Sequence, residues 1–276
     1  MDNPSLGWAG RYVPAGRAQT TGEIPQPADK IPLPNGLAFY VTSRQMLGAA
    51  RFLCKEIFRR HRYSRPGFEI RPEDTVVDIG ANMGMFALWA APQAPRGRIV
   101  AVEPMRVIDC LDLNVRLNHL DNVTPIQAAV GRDGDELEFV DYPGFNIITH
   151  QLGVRPARIT QLLIRLLFFR YRALPVHVKA PCVSLGRIID ELGLQSIDYL
   201  KIDCEGGEYE ILRNLDPKHW KRIQRIAMEF HELQPGQRHG ELVSLLESQG
   251  FEVEVCKPFF DYHFMKYGEI WARRPR

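Results

Sequence analysis

Short apolar runs of strand length alternate with amphipathic stretches through most of the chain, the pattern of repeating βαβ units. Residues 75–79 read as a strand, 84–91 as a helix, 98–102 as a strand, 105–119 as a helix and 123–128 as a strand. The alternation resumes with a strand over 136–140, a helix over 184–192, a strand over 197–202, a helix over 206–214, a strand over 223–230, a helix over 239–249 and strands over 251–256 and 268–273. Runs that are apolar at every position, such as Ile99-Val100-Ala101-Val102, fit strands buried on both faces of a parallel sheet. The stretch 257–267 is too short for a crossover helix, so the last two strands are expected to pair antiparallel. The pattern predicts an α/β fold: a doubly wound, mostly parallel sheet with an antiparallel last strand.

Ahead of this alternation the pattern weakens. Residues 1 to about 30 are rich in Pro, Gly and Gln and read as a loosely held arm. A short strand over 37–42 follows the Pro34-Asn35-Gly36 turn, and Ser43 is placed to cap a helix running through Arg60. The expected organisation is an N-terminal piece, 1–62, packed on the cleft of a main domain, 63–276.

In an open α/β sheet, ligands lie beyond the carboxyl ends of the strands, where strand order reverses. That rule selects Asp78, Glu103 with Pro104, Gln127 with Ala128, Asp203 with Glu205, and Glu229 with His231. The segment Val77-Asp78-Ile79-Gly80-Ala81-Asn82-Met83-Gly84 ends a strand in a carboxylate and turns through two glycines into a helix. It is expected to bring backbone N–H groups to a nucleoside-containing ligand. Glu103, at the end of the next strand, is placed to accept hydrogen bonds from ribose hydroxyls. Each half alone has a plainer reading, as a tight turn or a solvated strand end; the two in order favour a nucleoside. Asn82 stands where a dinucleotide fingerprint has its middle glycine and no third glycine follows, so the loop is poorly made for a pyrophosphate. A negative Asp78 favours a sulfonium and an α-amino group instead, which points to S-adenosylmethionine. Gln127 and Ala128 are placed to meet an adenine ring, or simply to end a strand.

Asp203 closes a buried strand and is expected to face the cleft, toward the acceptor or the methionine end of the cofactor. Glu208, in the first turn of the following helix, is assigned only to the helix dipole. Alternation puts Glu229 and His231 on one side of their strand. With an ordinary pKa near neutrality, His231 is the first choice to take a proton from an acceptor hydroxyl. Asp203 or Glu229 is second, as base or as the group orienting the histidine. The same three side chains are an alternative ligand set for a divalent metal.

At these residues the sequence resembles the FkbM-type methyltransferases, within the class I S-adenosylmethionine-dependent methyltransferases. The motifs that carry the resemblance are VDIGANMG at 77–84, VEP at 102–104, QAAVG at 127–131, VSLGRIIDE at 183–191, IDYLKIDCEGGE at 197–208 and MEFHE at 228–232. The resemblance covers roughly 33–251 and implies a Rossmann-like fold with a seven-stranded sheet, and O-methylation of a small-molecule hydroxyl, on a sugar, glycolipid or natural product. Acceptors in that family are diverse, so the acceptor does not transfer. The alternatives are a nicotinamide-dependent oxidoreductase and a non-catalytic membrane-surface binding protein with the same fold.

Composition narrows the setting. The chain has 276 residues, 45% hydrophobic and 25% charged, with net charge +2, and its sequence holds no apolar run of membrane-spanning length. Its five cysteines form no CxxC pair, so neither a zinc site nor a disulfide framework is expected. No leader-like apolar core stands near Met1, and a cytoplasmic location is expected. Nucleic-acid substrates are disfavoured by the near-neutral charge. Between Tyr142 and Ile189 there is no Asp or Glu. This stretch suggests an insertion over about 143–181 with a basic amphipathic helix over 157–174. That helix is either a lid on the cleft or a contact with an anionic membrane surface or lipid-linked acceptor.

Overall fold

Six of the strand-length runs become the inner strands of one sheet. The protein is described here from a computed structural model that places residues 11–12, 25–141, 150–151, 176–258, 262–263 and 266–275. The strands are β1 (Arg11–Tyr12), β2 (Asp29–Pro32), β3 (Ala38–Val41), β4 (Thr75–Ile79), β5 (Arg98–Val102), β6 (Val123–Gln127), β7 (Ala129–Val130), β8 (Glu136–Asp141), β9 (His150–Gln151), β10 (Val176–Val183), β11 (Tyr199–Ile202), β12 (Arg225–His231), β13 (Glu252–Cys256) and β14 (Tyr267–Arg273). The helices are α1 (Leu47–Cys54), α2 (Met85–Ala90), α3 (Ile108–Leu117), α4 (Leu185–Glu191), α5 (Glu208–Arg213), α6 (Pro217–Trp220) and α7 (His239–Ser248).

The main sheet has the order β1-β6-β5-β4-β11-β12-β14-β13. β4 lies parallel to β5 and to β11, and β11 parallel to β12. β14 is antiparallel to both β12 and β13, as the short 257–267 connection requires. From β4 the chain moves outward through β5 and β6, then returns to the other side of β4 as β11. The reversal of strand order therefore falls between β4 and β11, and the ligand cleft belongs at their carboxyl ends. This is a doubly wound topology, with β1 added at the outer edge.

Strand alternation divides the sheet chemically. Val77 and Ile79, Leu200 and Ile202, and Ile226, Met228 and Phe230 pack on one face with Ile188, Ile211, Leu212, Leu242 and Leu246 from α4, α5 and α7. Val76, Ile99, Tyr199 and Ala227 face the other way, toward Phe86 and Leu88 of α2 and Leu111 of α3. Burial of each such side chain contributes roughly 1.5–3 kcal/mol relative to exposure. On this second face the apolar pattern breaks at the strand ends. By alternation it carries Asp78, Glu103, Lys201, Asp203, Glu229 and His231.

The N-terminal piece docks on the same face. Asn114 of α3 has no exposed surface; its side-chain oxygen accepts the Tyr40 N–H at 2.7 Å while its amide donates to the Tyr40 carbonyl at 2.8 Å. Asn118 does the same with Ala38, at 3.0 and 2.8 Å. Two asparagines one helical turn apart thus satisfy the open edge of β3 as a neighbouring strand would. The expected helix over 43–60 is α1 flanked by a 3₁₀ turn at Arg44–Met46 and a π turn at Lys55–Arg59. The arm read as loosely held contributes strands where it is described: β1 pairs with the end of β6, and β2 with β3.

Beyond β6 a second sheet forms, in the order β7-β10-β8-β9. Val176 to Pro181, the end of the expected insertion, is strand β10 paired antiparallel with β8. Pro181 within Val176–Val183 masks this strand in the sequence, since a proline interrupts a ladder and is tolerated only toward an edge. The expected basic helix over 157–174 lies outside the described residues. Among the described residues no helix is long and apolar enough to cross a membrane.

Candidate active site

The loop between β4 and α2 is shaped by backbone conformations that ordinary side chains avoid. Gly80, Asn82 and Gly84 have φ of 78°, 50° and 91°. A Cβ on Gly80 would stand 1.9 Å from the backbone oxygen of Asp203, so glycine is what lets the ends of β4 and β11 meet. A Cβ on Gly84 would stand 2.4 Å from Leu111 Cδ1, so glycine also seats α2 against α3.

The N–H groups of this loop turn inward, which corrects the expectation that they are offered to a ligand. Gly80 and Ala81 both donate to the Val102 carbonyl at 3.0 Å, and Gly84 donates to Ala81 at 2.9 Å. Asn82 donates its N–H to Glu103 Oε2 at 2.9 Å, and Met83 donates to Asn82 Oδ1 at 2.7 Å. The amides that a pyrophosphate would need are already satisfied. Glu103 is 7% exposed, and its Oε1 accepts the Met105 N–H at 3.0 Å. Each of its oxygens has a further lone pair. Burial pushes this carboxyl up to about 7 against the pull of the two backbone N–H groups. Pro104 and Gln127 are half-buried beside it, whereas Ala128 has no exposed surface and offers none to an adenine ring as folded.

Asp78 is not the free negative charge that its position suggested. It is fully buried, and Lys201, its register partner on β11, places Nζ 2.8 Å from Oδ1. The same ammonium donates to the Gly80 carbonyl at 3.2 Å. Burial works against the charged lysine, but Asp78 and Asp203 outweigh it and hold its pKa above the ordinary value. Asp78 Oδ2 is left buried without a partner.

A second network joins the ends of β11 and β12 to the N-terminal piece. The Tyr63 hydroxyl lies 2.8 Å from Asp203 Oδ2 and 2.9 Å from Glu229 Oε1. Its backbone is fixed by the Tyr199 hydroxyl, which donates to the Tyr63 carbonyl at 2.7 Å. Arg62 Nε stands 2.7 Å from Glu229 Oε1. Burial and the Asp203 charge raise the Glu229 carboxyl to about 6, while Lys201, His231 and Arg62 outweigh burial at Asp203 and hold its pKa below the ordinary range.

His231 does not stand as a free base. Its Nδ1 lies 2.8 Å from Glu208 Oε1 and its Nε2 lies 3.5 Å from Glu205 Oε2. Burial disfavours the imidazolium, but Glu205 and Glu208 outweigh it and raise the pKa to about 10. As folded, the ring is protonated near neutrality and has no lone pair for a hydroxyl proton. Glu208 is therefore more than a helix-dipole residue: it has no exposed surface, and its Oε1 also accepts the Gly206 N–H at 3.2 Å. The metal-ligand geometry falls on Asp203, Glu205 and His231, whose ligand atoms all lie within 4.8 Å of one another. Glu229 is drawn away by Tyr63 and Arg62.

The sequence-derived set is thus brought together at one end of the sheet, with Lys201, Tyr63, Arg62 and Glu208 added. Lys201 had a readable signal, since a charge inside the apolar run Tyr199-Leu200-Lys201-Ile202 requires a buried acid nearby. Tyr63 had none: it lies 140 residues from Asp203 in sequence and in no recognisable spacing.

The chain is similar to known methyltransferases. The Methyltransferase FkbM domain matches residues 78–253. The 31-O-demethyl-FK506 methyltransferase FkbM of Streptomyces tacrolimicus is 32% identical over 237 residues, covering 80% of this chain and 88% of that protein. Methyltransferase sdnD of Sordaria araneosa is 29% identical, covering 79% and 86%. The AMB antimetabolite synthetase AmbE of Pseudomonas aeruginosa is 30% identical over 76% of this chain, which spans only 11% of that much longer protein. Among solved structures, the methyltransferase FkbM from Methylobacillus flagellatus superposes with a TM-score of 0.44 at 14% identity, over 82% of this chain and 53% of that one. With its glycine loop, its strand-end acids and a domain match running from Asp78 to Val253, the chain belongs to the FkbM methyltransferase family.

Proposed function

We propose that this methyltransferase transfers a methyl group from S-adenosylmethionine to a hydroxyl of a small molecule, of the sugar, glycolipid or natural-product class. The observation that carries the donor assignment is the switch-point loop itself: its amides are closed on β5 while Glu103 holds two acceptor oxygens at its rim. That arrangement suits a ribose diol and fails a pyrophosphate, which argues against the nicotinamide alternative. The orphaned Asp78 Oδ2 is an acceptor that an α-ammonium group would complete. The printed name of the Streptomyces relative puts an oxygen acceptor on that protein, and the same acceptor atom is proposed here.

When bound, S-adenosylmethionine supplies an electrophilic methyl carbon: a bond from the acceptor oxygen forms as the carbon–sulfur bond breaks, and sulfur keeps the electron pair. The residues of this chain position the reactants, exclude water and take the hydroxyl proton. Alignment of this kind is worth roughly 7–11 kcal/mol of barrier, more than the roughly 10²- to 10⁴-fold of a general base. The proton goes to Asp203 and passes through the Tyr63 hydroxyl to Glu229, whose carboxyl, raised to about 6, holds it better than the depressed Asp203 does. This takes over the role first expected of His231, whose ring nitrogens are engaged by Glu208 and Glu205.

Glu103→Ala is expected to weaken binding of S-adenosylhomocysteine by about 1.5–3 kcal/mol, the usual worth of charged hydrogen bonds. The affinity also carries a pH signature. With the carboxyl titrating at about 7, protonation removes the acceptor charge as pH falls, so affinity declines below neutrality and levels off above it. Each unit below pH 7 costs up to about tenfold, because one unit is one decade of ionised carboxylate. Calorimetric titration between pH 5.5 and 8.5, at roughly half-unit steps, checks both; unchanged affinity in Glu103→Ala removes the ribose assignment.

A further inference from the structure

We propose that Asp203, Glu205 and His231 form a divalent-cation site at the carboxyl ends of β11 and β12, beside the position of the acceptor hydroxyl. The proposal rests on the reading of this cleft as the methyl-transfer site and adds a ligand to it. The three ligand atoms lie within 4.8 Å of one another, and His231 Nε2 is 3.5 Å from Glu205 Oε2. Oxygen and nitrogen ligands sit roughly 2.0–2.6 Å from a divalent ion, so small side-chain rotations close the set around one.

The histidine is oriented for this use. A metal-bound imidazole characteristically gives its other N–H to a carboxylate, which fixes the tautomer and aims the remaining nitrogen at the ion. Glu208 supplies that carboxylate at 2.8 Å from Nδ1, and Nε2, turned toward Glu205, gives up its proton when an ion takes that position. Glu208 has no exposed surface, and its second oxygen, Oε2, is buried without a hydrogen-bond partner. Tyr63 engages Oδ2 of Asp203, so Oδ1 is the oxygen free to ligate.

Charge points the same way. Asp78, Asp203, Glu205, Glu208 and Glu229 crowd this end of the sheet against Lys201, Arg62 and the His231 ring, which leaves the acids in excess. Three protein ligands leave part of an octahedral shell open, and Glu205, at 45% side-chain exposure, leaves that side accessible. A set of two carboxylates and one imidazole, with no thiolate, suits Mg²⁺ or Mn²⁺. In this place the ion would act as a Lewis acid toward the acceptor oxygen.

Mn²⁺ alone is the probe. Titration of the full chain with MnCl₂, followed by the electron paramagnetic resonance of free Mn²⁺, is expected to show one saturable site per chain, weakened at least tenfold in Glu205→Gln and in Asp203→Asn. Glu205→Gln replaces a half-exposed side chain by one of its own shape, and its circular dichroism is expected to match the parent, so a loss of Mn²⁺ reads as loss of a ligand and not of the fold. No saturable Mn²⁺ binding, or equal binding by parent and both variants, overturns the cation site. If S-adenosylhomocysteine still binds in that case, the methyl-transfer reading stands without the metal; Mn²⁺ binding without nucleoside binding keeps the metal and sinks the donor assignment.

Discussion

Asp203→Asn is expected to lower methyl transfer by about 10²- to 10⁴-fold, the span associated with losing a general base. Asparagine keeps the volume of the side chain and still offers an oxygen to the Tyr63 hydroxyl, which stands 2.8 Å from Oδ2 in the parent. It has no place for a proton. The loss should therefore fall on the chemical step, with the Tyr63 bridge to Glu229 intact and donor binding changed by less than about 1.4 kcal/mol, a factor of ten. Single-turnover measurements with methyl-labelled donor separate the step from binding. An Asp203→Asn variant that turns over at the parental rate removes this carboxylate from the proton path.

The second large effect is on stability. Lys201→Met is expected to destabilise the fold by about 3–5 kcal/mol, because it leaves the Asp78 carboxylate buried without its counter-ion. Side-chain exposures of 4% for Lys201 and 0% for Asp78 leave water no means of replacing the lost contact. The substitution also frees the Gly80 carbonyl, which Lys201 holds at 3.2 Å, and so loosens the loop whose position Gly80 fixes against Asp203. Removing both charges in Asp78→Asn/Lys201→Met should recover much of the loss, since replacing both partners of a buried pair is far cheaper than stranding one. Urea midpoints for the two single variants and the double variant provide the cycle. Additive losses would show that the two side chains do not depend on each other.

Much of the sheet could be read from the sequence because parallel strands buried on both faces are apolar at nearly every position. The β4, β5 and β11–β12 runs announce themselves in this way, and the acids that end them are placed by topology alone. What stayed hidden depended on contacts without a sequence spacing. Tyr63 reaches Asp203 from a turn that follows α1, where His61 takes a φ of 53°. No periodicity encodes that approach. β10 was obscured by Pro181, and β3 is completed by side-chain amides of α3 rather than by another strand.

Roles at the site were harder to read than positions because they depend on which charges neighbour one another. Asp78 looked free until Lys201 was placed beside it. His231 looked like a base at neutral pH until Glu205 and Glu208 were found at its two nitrogens. Glu208 looked like a first-turn acid until the helix turned it inward. In each case the side chain was identified correctly at its strand or helix end, while its protonation and partners were set by residues distant in sequence.

Calorimetric titration of the protein with S-adenosylhomocysteine and, separately, with NADH decides which nucleoside the cleft takes. Saturable binding of S-adenosylhomocysteine at one site per chain, lost or strongly weakened in Glu103→Ala, is expected, with no binding of NADH. Binding of NADH with none of S-adenosylhomocysteine would contradict the donor assignment.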